Sequence, residues 1–582
     1  MKRLLKYAVG VALIAVIALA AALPVAGAKT TRSVKSGKCF PTAASGKAWS
    51  FGVMDDTQWT TTDPAGTNPA TVSKSIIDQI NSQFIAKGVK FVIQVGDLTD
   101  DGADVGIAER ATAAQPLLNA GIGFFPMRGN HETYATTPNN FGIPEFQKVF
   151  PQTRGLSNTF GAKNFSSPTS VSSDLNGMTY SFDYGTPGNN ARFVILDTWV
   201  TPSKNVAAAG YNYGYSIADQ QNWISSRLNE STRGTTQAFV FSHQPLIAEN
   251  HQDSPFVGYT NANPGMQNDF FASLQNNDVK YYIAGHDHIN QRSIIASPDG
   301  KSQVQEIIGA SDSSKFYTPK AVTDPNWFGQ KTRETSVTQD GYRVGFYVYT
   351  VDGPRVTVDY YADDQGNWQS DASYPSGPSG AGSHITPIFN FVKRASWGYS
   401  LNGKEFVIGG GATNGTNNSA SYTAVQDSFQ GTSAKILGGT YANTLTDLSG
   451  RTVAQAVDTG WTCNTSRDAL SSNILTLWGM APVGKTVTDQ YTLSMSFDAG
   501  RGWHHGFADL GVLAAKDANG HWVKAVDLNN GGGVTRFVVG PWQPQDTLGT
   551  YGVDPNTNTA WAVINYNGSF AVDRGLDLVW SN

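Results

Sequence analysis

The chain has few cysteines, few charged residues and no basic block beyond its N-terminus. Cys39 and Cys463 are its only cysteines among 582 residues, which excludes both a disulfide-dense scaffold and a thiolate cluster for structural zinc. Charged residues make up 15% of the chain and the formal net charge is −5, so the electrostatic footprint of a nucleic-acid-binding protein is absent. The two cysteines could form one disulfide or remain two separate buried thiols, and the sequence leaves both open.

Long apolar runs are also missing after the N-terminal segment. The segment itself has three positive residues within its first six, an apolar stretch over Tyr7–Ala22 and small residues at Ala26–Ala28. This pattern predicts a signal peptide over 1–28 that is cleaved after Ala28, and therefore a secreted or periplasmic protein without a stable membrane anchor. An uncleaved anchor is the alternative, because the apolar stretch nearly reaches spanning length.

The abundant features are apolar residues, at 40%, and glycine, with 61 residues. At this length and composition we expect two or three folded domains. Over 47–369, short apolar runs alternate with helical patterns, which predicts a layered α/β domain with functional residues at the carboxyl ends of buried strands. The predicted strands are Ala48–Met54, Lys90–Val95, Gly123–Met127, Arg192–Leu196, Gln237–Phe241 and Val279–Ala284, followed by a hairpin of Val344–Thr350 and Arg355–Tyr361.

The remainder of the chain has a different texture. Residues 370–383 are rich in Ser, Gly and Pro and are predicted to be a linker. From 384 to 582, short alternating runs are separated by Gly, Asn and Asp, which predicts an all-β, sandwich-like C-terminal domain.

Five short polar blocks follow the predicted strands of the α/β domain. They are Asp56–Gln58, Gly96–Asp97, Gly129–Glu132, Ser242–His243 and Gly285–His288. Carboxylates, an amide oxygen and imidazoles without thiolates form a donor set that suits Fe, Zn or Mn. Two such cations close together clamp a phosphate group and lower the pKa of a bound water. A histidine beside them, His131, could protonate the leaving group.

In their order and spacing these blocks resemble the calcineurin-like metallophosphoesterase superfamily, whose pattern is D-x-H, G-D, G-N-H-[DE], a lone His and G-H-x-H. The resemblance covers roughly residues 48–368 and implies a four-layer α/β/β/α fold. It also implies that Asp97 bridges two metal ions, that Asp56 and His288 bind the first, and that His131 assists the leaving group. The remaining implied ligands, those of the second metal, are Asn130, His243 and His286.

The sequence departs from the family pattern at two positions. Gln58 stands where the family usually has His, so its amide oxygen is a candidate but weaker ligand of the first metal. Asp100 stands where purple acid phosphatases carry a tyrosine ligand, so we do not expect a tyrosinate–iron enzyme. The D-x-H pattern of the first block can be aligned with either Asp55 and Thr57 or Asp56 and Gln58. We prefer Asp56, because only this alignment places a possible ligand, Gln58, at the position of the family's His.

Several neighbours of the blocks are assigned less directly. Asn130, His131 and Arg128 are candidates for contacting substrate phosphate, although Arg128 could equally form a structural salt bridge. Asp287 and Glu132 are expected to hold hydrogen bonds around the ligands. His251 is interpreted as a surface histidine, with a place at the mouth of the site as the alternative.

The sequence therefore predicts an exported enzyme that hydrolyses small phosphate mono- or diesters by attack of a metal-bound hydroxide, with Asp97 and His131 as catalytic residues. The first alternative is a non-catalytic surface or binding protein with a degenerate phosphoesterase fold, which Gln58 favours and the other intact blocks oppose. A two-metal amide hydrolase is a further alternative, since such sites use similar ligands.

Overall fold

The protein is described from a computed structural model. The described residues are 48–58, 74–100, 102–133, 142–199, 216–256, 262–313, 315–320, 331–363, 389–401, 405–406, 421–423, 433–438, 454–458, 472, 474–478, 490–497, 511–532, 534–557 and 559–573. The predicted signal peptide, the predicted linker and both cysteines lie outside them.

The first part of the chain contains thirteen described strands and six described α-helices. In chain order they are β1 Trp49–Met54, α1 Lys74–Lys87, β2 Phe91–Gln94, α2 Asp104–Ala113, α3 Gln115–Asn119, β3 Gly123–Pro126, α4 Ile143–Val149, β4 Lys163–Ser166, β5 Tyr180–Thr186, β6 Asn189–Leu196, α5 Ile217–Leu228, β7 Gln237–Ser242, α6 Pro264–Asn276, β8 Tyr281–Ala284, β9 Asn290–Ala296, β10 Gln303–Ile308, β11 Glu334–Asp340, β12 Gly345–Asp352 and β13 Arg355–Asp363.

The described strands that follow are mostly short. They are β14 Phe391–Ser400, β15 Glu405–Phe406, β16 Ser421–Thr423, β17 Ser433–Gly438, β18 Ala454–Asp458, β19 Ile474–Trp478, β20 Gln490–Ser496, β21 Val512–Lys516, β22 Trp522–Lys524, β23 Arg536–Val539, β24 Thr550–Asp554, β25 Thr559–Ile564 and β26 Gly568–Asp573.

Two mixed sheets form the centre of the α/β region. The first has the order β15-β14-β13-β12-β1-β2-β3, and the second has the order β11-β9-β10-β8-β7-β6-β5-β4. In the first sheet β1, β2 and β3 run parallel, and in the second β6, β7, β8 and β10 do. Their carboxyl ends carry all five polar blocks, which is where α/β sheets place ligand sites.

Aromatic residues fill the space between the two sheets. Phe51 of the first sheet lies 5.0 Å from Phe193 and 5.2 Å from Phe239 of the second, measured between ring centroids. On the outer face of the first sheet, α1 packs through Phe84 against Phe346 at 5.0 Å. On the outer face of the second, α5 and α6 share one buried cluster with the sheet. The layers are therefore helix, sheet, sheet and helix, which confirms the predicted four-layer fold.

The helices differ from the sequence prediction in one respect. The pattern over Asp104–Asn119 predicts a single helix, whereas the structure has α2 and α3 with a break at Ala114. Pro116 explains the break, because proline lacks the N–H that a continuous helix needs and its ring crowds the carbonyl one turn earlier.

The predicted hairpin at the end of the α/β region is present as the antiparallel strands β12 and β13. Gly345 pairs with Ala362 at the open end of the hairpin, and Asp352 pairs with Arg355 next to the turn. However, β14 lies beyond the predicted linker and pairs antiparallel with β13. Its Trp397 and Tyr399 are fully buried in the core between the two sheets. The predicted domain start at 384 is therefore wrong for 391–406, because these residues extend the first sheet.

The rest of the C-terminal region is β-rich, as predicted. A six-stranded sheet has the order β16-β17-β20-β25-β24-β23, and a five-stranded sheet has the order β18-β19-β26-β21-β22. Apolar residues of both sheets, such as Leu493 and Phe570, are fully buried. This arrangement is consistent with the predicted sandwich-like domain.

Candidate metal centre

The five blocks converge at the carboxyl edge shared by the two sheets. Donor atoms of Asp56, Asp97 and His288 lie within 4.8 Å of one another, and so do donor atoms of Asp97, His243 and His286. Asp97 belongs to both groups. The two groups therefore form adjacent candidate cation sites joined by one carboxylate, and all five residues are buried.

Each of the three candidate histidine ligands is held in orientation by a hydrogen bond from one ring nitrogen to an oxygen acceptor. Nδ1 of His243 contacts the carbonyl oxygen of Val95 at 2.7 Å, and Nδ1 of His288 contacts that of Lys315 at 2.8 Å. A carbonyl can only accept, so each Nδ1 carries a proton, and in the neutral imidazole, the form that binds a cation, each Nε2 presents a lone pair. The two Nε2 atoms face Asp97 Oδ1 at 3.3 Å and Asp56 Oδ1 at 3.5 Å respectively.

The third histidine, His286, is oriented by a carboxylate. Its Nε2 lies 3.2 Å from Asp253 Oδ1 and therefore carries the proton, which leaves the lone pair of the neutral ring on Nδ1. A histidine that gives one ring proton to an oxygen acceptor and turns the other nitrogen inward is the usual arrangement at protein metal sites. The donor set and its orientation therefore fit metal ions.

Glycines make this close approach possible. A β-carbon at Gly129 would overlap the Asp97 carboxylate, one at Gly96 would overlap the His243 ring, and one at Gly285 would crowd Asp56 Oδ2 at 2.8 Å. Gly96 also has φ +85°, in the region that favours glycine. The glycine in each of these blocks is thus explained by the space that the ligand side chains occupy.

Burial and charge act on the carboxylates in opposite directions. Burial raises the pKa of Asp56 well above its usual value, despite the opposing charge of His243. Burial would also raise the pKa of Asp97, but the charges of His243 and His131 hold it well below its usual range. For His243, burial would lower the pKa, but Asp97 and then Asp56 raise it to about 10. Asp97 is therefore the anionic centre of the site.

Asn130 and His131 lie beside these ligands, as predicted. The Asn130 side-chain oxygen is 3.2 Å from Nε2 of His243, within the second candidate group. The backbone N–H of His131 donates to Asp97 Oδ1 at 3.1 Å. The His131 ring contacts the carbonyl oxygen of Asp100 through Nδ1, so its Nε2 is the atom turned toward Asp97 Oδ2, at 3.8 Å.

Gln58 is at the site but does not present its oxygen to the ligand group. Its Nε2 donates to Asp97 Oδ2, and its Oε1 accepts from the Lys315 ammonium at 2.9 Å. The register of the first block agrees with the prediction, since the Asp56 carboxylate lies with the other ligands. Asp55 belongs to neither ligand group, and its backbone N–H donates to the Asp312 carboxylate at 2.8 Å.

Arg128 occupies a buried ion pair. Its guanidinium contacts Asp197 at 2.7 Å, and both side chains are 0% exposed. The candidate role in binding substrate phosphate is therefore not supported by its position. The structural salt bridge, which the sequence left open, is what the structure contains.

The sequence interpretation of His251 as a surface histidine is corrected by the structure. His251 stacks on His286, with ring centroids 3.9 Å apart, and its Nδ1 lies 2.6 Å from Asp287 Oδ1. It thus lines the site instead of standing alone on the surface. Asp287 also accepts from the backbone N–H of Glu249, and Glu132 accepts from the backbone N–H groups of Gly129 and Thr99, so both hold hydrogen bonds as predicted.

Three residues of the site escaped the sequence analysis. They are Lys315, Asp253 and Tyr317, whose ring lies 4.8 Å from that of His288 and 5.1 Å from that of His251. Asp253 lies in a loop that directly follows the fourth block, which is the only signal that could have pointed to it. Lys315 and Tyr317 follow β10, a strand that the sequence analysis did not predict.

No described helix is long and apolar enough to cross a membrane. This finding covers only the described part of the chain, and the N-terminal apolar stretch is outside it.

Residues 70–290 match the model of the family described as calcineurin-like phosphoesterase. The matched segment includes four of the five blocks, and the Asp56–Gln58 block precedes it. The match confirms the resemblance for this segment: residues 70–290 are similar to calcineurin-like phosphoesterases, which supports hydrolysis of phosphoric ester bonds as the class of activity. The family implies divalent metal ions, in agreement with the candidate ligand groups.

Solved structures with similar folds are distant in sequence. An anchor protein of the inner membrane complex of Plasmodium is 14% identical with a TM-score of 0.33, over 61% of this chain and 90% of that one. A dimetal phosphatase from Danio rerio is 15% identical with a TM-score of 0.32, over 53% and 95%. A purple acid phosphatase from yellow lupin seeds is 12% identical with a TM-score of 0.37, over 61% and 54%. No curated protein matches the chain.

Proposed function

We propose that this protein is an exported two-metal phosphoesterase that hydrolyses small phosphate mono- or diesters outside the cytoplasm. The observation that carries the proposal is the pair of ligand groups that share Asp97, with Asp56 and His288 on one side and His243 and His286 on the other. A single carboxylate with two oxygens is suited to hold two cations at bridging distance. When bound, such a pair of cations neutralises the phosphate and supplies an activated water.

The residues of the chain would divide the remaining work. Asp253 and the carbonyl oxygens of Val95 and Lys315 hold the ligand histidines in one tautomer. His131 is the proposed acid: Nδ1 gives its proton to the Asp100 carbonyl oxygen, and Nε2 faces the site, where the imidazolium form of the ring would transfer its second proton to the departing oxygen and become neutral. The His131 side chain is 15% exposed, so a substrate can reach it.

Export is proposed from the N-terminal sequence pattern alone. The positive residues, the apolar stretch and the small residues before position 29 support it. N-terminal sequencing of protein recovered from the culture medium or the periplasm tests the expected start at residue 29.

Metal content and hydrolysis of p-nitrophenyl phosphate and its bis ester test the enzymatic proposal. Wild type should bind two cations per chain. Asp97→Asn, which keeps the shape and removes the charge, should lose metal and most activity. Asp78→Asn on the exposed face of α1 is the matched control and should behave as wild type, since its carboxylate is outside the ligand groups and its hydrogen bonds are with the exposed Lys74. Wild type that stays metal-free and inactive after addition of Mn, Zn or Fe would contradict the proposal.

A further inference from the structure

Lys315 places a partly buried positive charge next to the candidate metal ligands. It follows β10 and reaches across the site, so that its ammonium lies 2.9 Å from Gln58 Oε1 and 2.8 Å from Asp100 Oδ1. Its side chain is 23% exposed. Its backbone carbonyl oxygen also accepts from His288. One residue thus contacts the first block, Asp100 in the segment that follows the second block, and a candidate ligand of the fifth block.

These contacts close a ring around Asp97. Gln58 donates to one oxygen of Asp97, and the backbone N–H of His131 donates to the other at 3.1 Å. The ring is completed by Lys315, which joins Gln58 to Asp100, and by Asp100, whose carbonyl oxygen holds the His131 ring. Lys315 is the only member of the ring that comes from the second half of the site, 257 residues after Gln58.

The ring determines which way the Gln58 amide points. An ammonium group can only donate, so the atom of Gln58 that faces Lys315 must be its oxygen. An ionised carboxylate can only accept, so the atom that faces Asp97 must be the amide nitrogen. Both neighbours demand the same orientation, which removes the usual ambiguity between amide oxygen and nitrogen. The amide therefore turns N–H groups, which cannot ligate a cation, toward Asp97.

We infer that Lys315 is a positioning residue that converts Gln58 from a metal ligand into a hydrogen-bond donor to Asp97. The first cation position then has Asp56, Asp97 and His288 as its protein ligands. The inference rests on the proposed function for the identity of the site, but it concerns binding of the cation and not turnover.

Lys315→Met tests this inference, because methionine keeps most of the length and removes both the charge and the donors. Apo protein is titrated with Mn²⁺ alone, and bound metal is followed by calorimetry and electron paramagnetic resonance. The variant should bind the weaker of two Mn²⁺ ions roughly tenfold more tightly than wild type, because a nearby like charge is lost and the Gln58 oxygen is released. Lys301→Met is the control for loss of an exposed charge, since its side chain is 82% exposed, and should leave Mn²⁺ affinity unchanged.

A double-mutant cycle separates the two causes. If Lys315 acts through Gln58, part of the gain in affinity should disappear in the Gln58→Ala background, where no amide oxygen can be released. Lys315→Arg keeps charge and donors and should return the affinity toward that of wild type.

Unchanged or weaker Mn²⁺ binding in Lys315→Met would overturn the inference, as would a gain of equal size in the Gln58→Ala background or wild type that binds no Mn²⁺. Wild type that binds two Mn²⁺ ions but hydrolyses no phosphate ester would count against the proposed function alone, because the affinity shift is measured without substrate.

Discussion

Four candidate ligands hold a backbone conformation that side chains other than glycine rarely adopt. Asp56, Asp97, His286 and His288 have φ values of 43°, 45°, 76° and 51°. Each such residue costs of order 1–3 kcal/mol and persists only where the surroundings fix it. Here the surrounding strands and the hydrogen bonds from His286 to Asp56 do so, at 3.1 and 3.0 Å to its two oxygens. Strain concentrated on these residues is what a site shaped for function requires.

His131 offers a residue-scale prediction about the leaving group. In His131→Gln, kcat for phenyl phosphate should fall by about 10²–10⁴-fold, because its leaving oxygen needs a proton. The fall should be much smaller for p-nitrophenyl phosphate, whose leaving group departs without one. Steady-state kinetics on the two esters measures the difference, and metal content should equal that of wild type. An equal loss on both substrates would contradict the role of His131 as an acid.

Gly129→Ala should disable the site through a single methyl group. The added β-carbon overlaps the Asp97 carboxylate and its backbone N–H, both of which are fixed by neighbours. We expect loss of bound metal and a lower midpoint of thermal unfolding. Gly265→Ala in α6 is the matched control: nothing lies within 4 Å of its β-carbon, and it should be neutral or stabilising by about 0.5–1 kcal/mol.

At the scale of elements, the site depends on how the two sheets are held together at their carboxyl edge. Arg128 directly follows the region of β3 in the first sheet, and Asp197 follows β6 in the second. Their buried ion pair, at 2.7 Å, links the two edges. Asp197 also accepts from the backbone N–H of Trp199 at 2.9 Å, and the Trp199 ring lies 5.6 Å from that of His286. The pair thus supports the position of a candidate ligand without touching substrate.

Breaking this pair should destabilise the protein strongly. Asp197→Ala leaves the Arg128 charge buried without its carboxylate, which typically costs about 3–5 kcal/mol in the free energy of unfolding. Urea titration measures the loss. Lys74→Met removes an exposed pair on α1 and should change stability by less than about 1 kcal/mol. Equal effects of the two substitutions would show that the buried pair has no special role.

At the level of the whole molecule, β14 joins the α/β region to the chain beyond the predicted linker. β14 pairs along the full length of β13. Tyr399 donates to Gln237 of the second sheet at 2.9 Å, and its ring lies 5.1 Å from that of Tyr281. The guanidinium carbon of Arg292 lies 3.9 Å from the centroid of the Trp397 ring, over its face. The first sheet is therefore incomplete without 391–400.

This predicts that the chain cannot be divided at the predicted linker. A fragment of residues 29–369 should unfold at lower urea concentration and aggregate more than a fragment of residues 29–406. Its β13 edge is exposed, and it loses two buried aromatics worth about 3–5 kcal/mol each. Urea titration and light scattering compare the two fragments. Equal stability would show that β14 is dispensable for the first sheet.

The features that depend on local pattern could be predicted from the amino-acid sequence. Buried parallel strands appear as continuous apolar runs, and the polar residue at the end of each run is visible in the chain. Hence the parallel strands β1, β2, β3, β6, β7 and β8, the five blocks, the register of Asp56 and the family resemblance could be predicted, whereas β10 could not. The carboxyl ends of parallel strands meet at one edge, so even the convergence of Asp97, His243 and His286 followed from the pattern.

The long-range partner of each side chain depends on the folded arrangement of the elements and could not be predicted. Gln58 is turned by Lys315, 257 residues away; Arg128 pairs with Asp197, 69 residues away; and β14 crosses the predicted linker to complete the first sheet. Such contacts leave no periodic signal, because a charge or an amide has the same appearance in the sequence whichever partner it meets. Their outcome is fixed by burial, which makes an unpartnered charge costly and selects the partner that packing brings within reach.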